Sequence, residues 1–288
     1  MRLSWCTDIH LNHASKKAAG YGWKQNERNI FAHQLVAQNP DIILVGGDIS
    51  AGISLSDDLI WLDSIATTID KPLAFVTGNH DYYCKSINYV DNTIIPNTLK
   101  KTNKLIWLEK SEPIHLIGDT YLIGNSLWAD WRNGDILNTN FWLNDYELIE
   151  ELSTTRKNRY NDYLRAELQR IADEKVEKLK EQFLSAVKSG AKKIICLTHV
   201  PPFWEASWHR GQVQDANAAP HFTCRAGEDM FREVMKTLEV INTEFELIIL
   251  CGHTHGSGRA KIVNTNITVI QGGAEYNFPR MQEPIDLV

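Results

Sequence analysis

The chain has 288 residues, 43% of them apolar, and a formal charge of −6. That apolar share supports a large core and excludes a disordered chain, while the acidic balance lacks the basic face needed to wrap a nucleic-acid backbone. The five cysteines (Cys6, Cys84, Cys196, Cys224 and Cys251) form no C-x-x-C pair, which fits a reducing compartment better than a disulfide framework.

An apolar strand, Leu3–Cys6, runs into Asp8-Ile9-His10. A helix is predicted near Asn26–Gln38, closed by Asn39-Pro40, and a strand Ile42–Val45 then enters Gly47-Asp48. The next helix, near Ser56–Ile69, repeats Leu59, Leu62, Ile65, Ala66 and Ile69 at helical spacing, with Ser54 and Asp57 as a capping box. Strand Leu73–Val76 leads to Gly78-Asn79-His80-Asp81. Such βαβαβ order predicts a sheet covered by helices on both faces. Leu105–Leu108, Ile114–Ile117 and Tyr121–Gly124 read as further short strands. From Trp131 to Gly190 strands disappear. A stripe of Leu164, Leu168, Ile171, Ala172, Val176, Leu179, Phe183 and Val187 marks a long amphipathic helix there, expected to cover the second face of the core. Strand Ile194–Leu197 ends at Thr198-His199, and a loop rich in Pro, Trp and His runs to about Thr223. A helix near Gly227–Ile241 and strand Leu247–Cys251 follow, the latter delivering Gly252-His253-Thr254-His255. The tail segments Arg259–Ile262 and Ile267–Ile270 read as a hairpin. No stretch reaches the length of a membrane span, and Asp8 and His10 interrupt the N-terminus before a signal-peptide apolar region could form. A cytoplasmic chain with no membrane partner is expected.

Five apolar runs thus deliver polar side chains to one sheet edge, where open α/β sheets carry their chemistry. Carboxylates, imidazoles and one amide, without a thiol, form a donor set for hard-to-borderline divalent metals. Alternation along an extended strand would point Asp8 and His10 the same way, so that they hold one ion together; His253 and His255 share that spacing. Asp48 can bridge two ions, Asn79 offers a carbonyl oxygen and His199 another imidazole. Two ions roughly 3.5–4 Å apart need such a mix. With two aspartates, neutral histidines and a bridging hydroxide, the centre keeps a charge of roughly +1, which attracts a phosphate ester, and the hydroxide is the expected nucleophile. His80 is not needed as a ligand and is the candidate to protonate the leaving group, while Asp81 would orient that ring or lock the turn. His13, His33 and His115 match no motif. Trp204, Trp208, His209 and Arg210, close behind His199 in sequence, are the candidate substrate-binding wall.

The ordered set D-x-H, G-D, G-N-H-D, an isolated His and G-H-x-H, running from Asp8 to His255, resembles the calcineurin-like metallophosphoesterases. The resemblance implies a four-layer α/β/β/α sandwich with mixed β-sheets, here one domain over residues 1–288 with a helical insertion at about 131–190. It also implies one metal on Asp8, His10, Asp48 and His255, a second on Asp48, Asn79, His199 and His253, and His80 as the catalytic histidine. Three departures narrow the branch. Ile49-Ser50-Ala51 follows Asp48 where Ser/Thr protein phosphatases carry an Asp-Arg pair. The tyrosine ligand of purple acid phosphatases is missing after that motif, and His80 stands where lipid-A pyrophosphatases usually carry Arg. The expected activity is hydrolysis of a small-molecule or nucleotide phosphomonoester or phosphodiester with two divalent ions, Mn, Fe or Zn. A metal-dependent nuclease and a non-catalytic protein-binding scaffold of the same fold are the alternatives. The acidic balance argues against the first and the intact donor set against the second.

Overall fold

The computed structural model describes residues 1–12, 22–153, 162–241 and 244–288. His13 and part of the expected helical insertion, residues 154–161, lie outside them. The strands in chain order are β1 (Arg2–Cys6), β2 (Ile42–Gly46), β3 (Leu73–Val76), β4 (Leu105–Trp107), β5 (Ile114–Ile117) and β6 (Thr120–Gly124). They continue with β7 (Lys193–Leu197), β8 (Trp208–His209), β9 (Gln212–Val213), β10 (Glu246–Cys251), β11 (Gly258–Lys261), β12 (Ile267–Gln271) and β13 (Ile285–Asp286). One sheet has the order β13-β1-β2-β3-β4 and the other β11-β12-β10-β7-β6-β5, with β8 and β9 as a separate hairpin. The strands β1 to β4 are mutually parallel, as are β6, β7, β10 and β12, whereas β13, β11 and β5 join their edges antiparallel.

Period-2 alternation sorts each central strand into two buried faces. Leu3, Trp5, Ile42, Leu44, Ala74 and Val76 of the first sheet meet Leu122, Ile195, Leu197, Ile248 and Leu250 of the second in one apolar cluster. The intervening residues, such as Ile43, Val45, Phe75, Ile194, Cys196 and Ile249, face outward into a second cluster shared with helices. Helices therefore cover only the outer face of each sheet, not both faces as the βαβαβ order predicts, because the inner faces bury each other. The architecture is a four-layer α/β/β/α sandwich, and each buried aliphatic side chain in it stabilises by ~1.5–3 kcal/mol.

Helices Gln25–Gln38 and Leu55–Thr68 supply Phe31, Leu35, Leu59 and Leu62 to the first outer layer. The helix Asp162–Lys188 buries Leu164, Leu168, Ile171, Ala172, Val176, Leu179 and Phe183. Phe183 meets Phe231 of helix Arg225–Ile241 at 6.5 Å between ring centroids. Among the described residues no helix is long and apolar enough to cross a membrane.

Several local expectations differ from what forms. Ser54 makes no side-chain capping bond at its helix start. The neighbouring Asp58 turns inward instead and accepts from Asn12, Arg28 and Ser50, which satisfies a buried charge better than a cap would. The strand expected to reach Leu108 stops at Trp107, where a 3-10 turn, Leu108–Lys110, begins. Residues 87–99 form two short helices joined by a π turn, an element whose apolar spacing is too irregular to read locally. The loop before Thr223 contains the β8–β9 hairpin and a short helix, Ala219–Phe222.

Candidate metal centre

The candidate donors sit just past the C-terminal ends of β1, β2, β3, β7 and β10, where the two sheets meet. The alternation argument for Asp8 and His10 fails in detail, because β1 ends at Cys6. Asp8 and His10 adopt left-handed backbone with φ of 53° and 44°, as do Asp48 (48°), His253 (73°) and His255 (59°). Each such position costs ~1–3 kcal/mol and persists only when its surroundings hold it. Here the holding bonds are visible: Asp8 N–H donates to Gly47 O at 3.0 Å, His10 N–H to Asp48 O at 2.9 Å, and Leu11 N–H to Ile49 O at 2.8 Å.

Asp8, His10, Asp48 and His255 present ligand atoms that all lie within 4.8 Å of one another. His10 Nε2 and His255 Nε2 are 3.1 Å apart, His255 Nε2 is 3.5 Å from Asp8 Oδ1, and His10 Nε2 is 3.7 Å from Asp48 Oδ2. A second group shares Asp48. His199 Nε2 lies 3.0 Å from Asn79 Oδ1, 3.2 Å from His253 Nδ1 and 3.4 Å from Asp48 Oδ1. His253 and His255 therefore diverge to different groups instead of sharing one, since the left-handed turns break the strand-like pairing.

Hydrogen bonding on the far side of these residues fixes which atoms carry lone pairs. His199 Nδ1 faces the Gly46 carbonyl oxygen at 2.9 Å, so its proton sits there and Nε2 is bare in the neutral ring. His253 Nε2 faces the His221 carbonyl oxygen at 3.3 Å, which leaves Nδ1 bare. Asn79 Nδ2 donates to Asp145 Oδ1 at 2.8 Å, turning Asn79 Oδ1 toward His199. Lone pairs this close repel unless a cation lies among them. A proton on either ring is opposed by burial, which pushes His199 below the usual imidazole range and His253 well below it. The Asp48 carboxyl is pushed well above its usual range by burial and by the neighbouring Asp8, Asp81 and Asp145. Neutral imidazoles and crowded carboxylates are what a pair of divalent ions needs and relieves. The donor set fits metal ions.

His80 stands beside both groups, with Nε2 3.8 Å from Asp48 Oδ2 and its ring 4.6 Å from that of His10. Its imidazole stacks on Tyr83 at 4.3 Å between centroids and 29° between planes. Asp81 locks the turn: its two oxygens accept the Gly78 and Ser50 N–H groups at 2.8 Å each, and burial pushes its carboxyl up to about 7.

A cavity of about 190 Å³ opens over these residues, lined by Asp48, Asn79, His80, His253 and His255. Tyr83, Leu143, Asn144, Asp145, Phe222 and Tyr276 complete its lining. Trp204, Trp208, His209 and Arg210 line none of it. Trp204 Nε1 donates to Gln214 O, His209 Nδ1 lies 2.8 Å from Thr254 O, and Arg210 is exposed at the turn of the β8–β9 hairpin. Nearness to His199 along the chain is what suggested them, but the Trp208 carbonyl accepts from the Thr254 hydroxyl and the backbone of Trp208 and His209 packs on Gly256. Sequence reasoning missed Asp145, Leu143, Asn144, Phe222 and Tyr276. Tyr276 had no motif beside it, and its ring nonetheless lies 4.6 Å from His10 and 5.0 Å from His255.

The calcineurin-like phosphoesterase family model matches residues 1–257. In three dimensions the chain is similar to a dimetal phosphatase from Danio rerio, with a TM-score of 0.53 and 11% identity, covering 95% of this chain and 87% of that one. It is also similar to a phosphopantetheinyl hydrolase from Mycobacterium tuberculosis, with a TM-score of 0.56 and 13% identity, covering 96% and 90%. No curated protein matches the sequence. At such identities the solved structures establish the fold, while the family follows from the matched residues, which include every candidate donor from Asp8 to His255. The chain belongs to the calcineurin-like phosphoesterase family, and it is a metal-dependent hydrolase of phosphoric esters.

Proposed function

We propose that this chain hydrolyses a small-molecule or nucleotide phosphomonoester or phosphodiester, as a member of the small phosphodiesterase and phosphatase branch of its family. Asp8, His10, Asp48 and His255 would hold one divalent ion, and Asp48, Asn79, His199 and His253 the other. Mn, Fe or Zn suits these oxygen and nitrogen donors. The observation that carries the reading is the convergence of bare Asn79 Oδ1, His199 Nε2 and His253 Nδ1 with the shared Asp48 carboxylate. When bound, such ions polarise phosphoryl oxygens and lower the pKa of water from 15.7 toward about 7.

The remaining work falls to the chain's own side chains. His80 lines the cavity and stacks on Tyr83, which supports a role for it in giving a proton to the departing oxygen. Phe222 and Tyr276 offer ring faces to the organic part of the ester and help exclude water. Leu143, Asn144 and Asp145 close the wall from the segment at about 131–190, which we read as an insertion within one catalytic domain.

The test is turnover of p-nitrophenyl phosphate and bis-p-nitrophenyl phosphate with added Mn²⁺. Wild type should hydrolyse at least one of them. His80→Ala should lower kcat by about 10²–10⁴ while binding the same metal. An inert, metal-loaded wild type contradicts the proposal.

A further inference from the structure

The bond that orients Asn79 comes from a carboxylate outside every motif. Asp145 opens the short helix Asp145–Leu148 and is 4% exposed. Its Oδ1 accepts from Asn79 Nδ2 at 2.8 Å and from the Tyr83 hydroxyl at 2.7 Å. Tyr83 is the ring on which His80 stacks. One buried oxygen therefore touches a candidate metal ligand directly and the candidate acid through a single residue.

The backbone around Asp145 is anchored to the same turn. Cys84 N–H donates to Leu148 O at 2.6 Å, Glu150 N–H to Lys85 O at 3.1 Å, and Ile87 N–H to the Glu151 carboxylate at 2.9 Å. The next side chain, Tyr146, has its hydroxyl 2.7 Å from His221 Nδ1, and the His221 carbonyl is the group that faces His253 Nε2. A helix-capping role does not account for the bonds of the Asp145 carboxylate to partners 66 and 62 residues distant.

We propose that Asp145 is a positioning residue of the metal centre. Its carboxylate keeps the Asn79 amide from flipping, so that Oδ1 and not Nδ2 faces the second metal position, and it steadies the His80 ring through Tyr83. This rests on the reading of Asn79 as ligand and His80 as acid given above. An amide presenting Nδ2 would place N–H groups against a cation, so loss of the carboxylate acts on one ion and spares the other. Partners of this kind typically change metal affinity or activity by about 10–100-fold.

The experiment is a Mn²⁺ titration of metal-free wild type, Asp145→Ala, Asp145→Asn and Tyr83→Phe, with bound ions counted per chain and kcat and KM measured on the p-nitrophenyl esters. In Asp145→Ala one of two ions should bind about 10–100-fold more weakly, with the other unchanged. Asp145→Asn keeps an acceptor oxygen and should restore most of that affinity. Tyr83→Phe should bind both ions as wild type and lose kcat at unchanged KM. A wild type that binds no metal overturns the function itself. A wild type with two ions, beside an Asp145→Ala protein that matches it in both affinities and in kcat, overturns only the role of Asp145. If Asp145→Ala fails to fold, a folded Asp145→Leu, which lacks any acceptor for Asn79 Nδ2, that binds both ions as wild type does while Tyr83→Phe retains full kcat overturns it too.

Discussion

A methyl group added at Gly78 would land on the Asp48 carboxylate, and one at Gly252 on Thr7 and the Asp8 carboxylate. Neither carboxylate can step aside. Asp48 Oδ1 is held by the His80 N–H at 2.9 Å, and both oxygens of Asp8 by the His253 N–H at 3.0 Å. Gly78→Ala and Gly252→Ala should each weaken metal binding by tenfold or more, the scale seen when a ligand loses its orienting partner. Unchanged affinity in a metal titration would show that the carboxylates move freely. At this scale the donors were legible because their types are chemically distinctive and each follows an apolar run. Asp145 was not, because its meaning lies in a bond to Asn79, 66 residues away, and nothing in Asn-Asp-Tyr distinguishes it from a surface turn.

Between elements, a buried polar link ties helix Asp162–Lys188 to the strand end that carries Asn79. Lys175 Nζ donates to Glu109 at 2.9 Å, and Glu109 accepts the N–H and hydroxyl of Thr77, just before Gly78. Burial alone would raise the Glu109 carboxyl, but Lys175 and the Thr77 donors outweigh it and hold it below its usual range. For Lys175, burial is likewise outweighed by Glu109 and Asp91, and its ammonium is held above the usual range. Lys175→Met should therefore destabilise by about 3–5 kcal/mol in chemical denaturation, because a buried carboxylate loses its partner. Adding Glu109→Gln should recover part of that loss. A cost near that of a surface change, under about 0.5 kcal/mol, would remove the pair from the account of stability. The sign of the pH dependence follows from both shifts. A depressed carboxyl stabilises above its unfolded value of 4.5 and ceases to as acid protonates it, while a raised ammonium stabilises below 10.5 and ceases to at higher pH. The gap between wild type and the single variant should be widest between those limits and close in acid. Elements of this kind were readable where periodicity is strong, as in the Leu164 to Val187 stripe. They were unreadable where tertiary bonds choose the conformation, as with Ser54, whose expected cap loses to the inward turn of Asp58.

For the whole molecule, the donors divide between the sheets: Asp8, Asp48 and Asn79 follow β1, β2 and β3, while His199 and His253 follow β7 and β10. Ions bound there would pin the sheets together at the edge where like charges and lone pairs otherwise repel. Each ion at a hundred times its dissociation constant adds about 2.7 kcal/mol to folding, so chelation should lower Tm by several degrees in calorimetry. A Tm indifferent to metal would mean that the folded chain does not bind it. A parallel sheet with helices against it was legible from βαβαβ order, whereas the pairing of two sheets in four layers was implied only by the family resemblance of the motif set. The cavity wall was not, since Leu143, Phe222 and Tyr276 come from three distant segments that only folding brings together. The most direct measurement is the number of metal ions per chain, counted by native mass spectrometry alongside turnover of a p-nitrophenyl ester. Two ions are expected in wild type and in His80→Ala, falling to one or none in Asp48→Ala together with loss of activity. Full turnover by a chain holding no metal, or two ions retained by Asp48→Ala, would contradict a dinuclear centre bridged by that carboxylate.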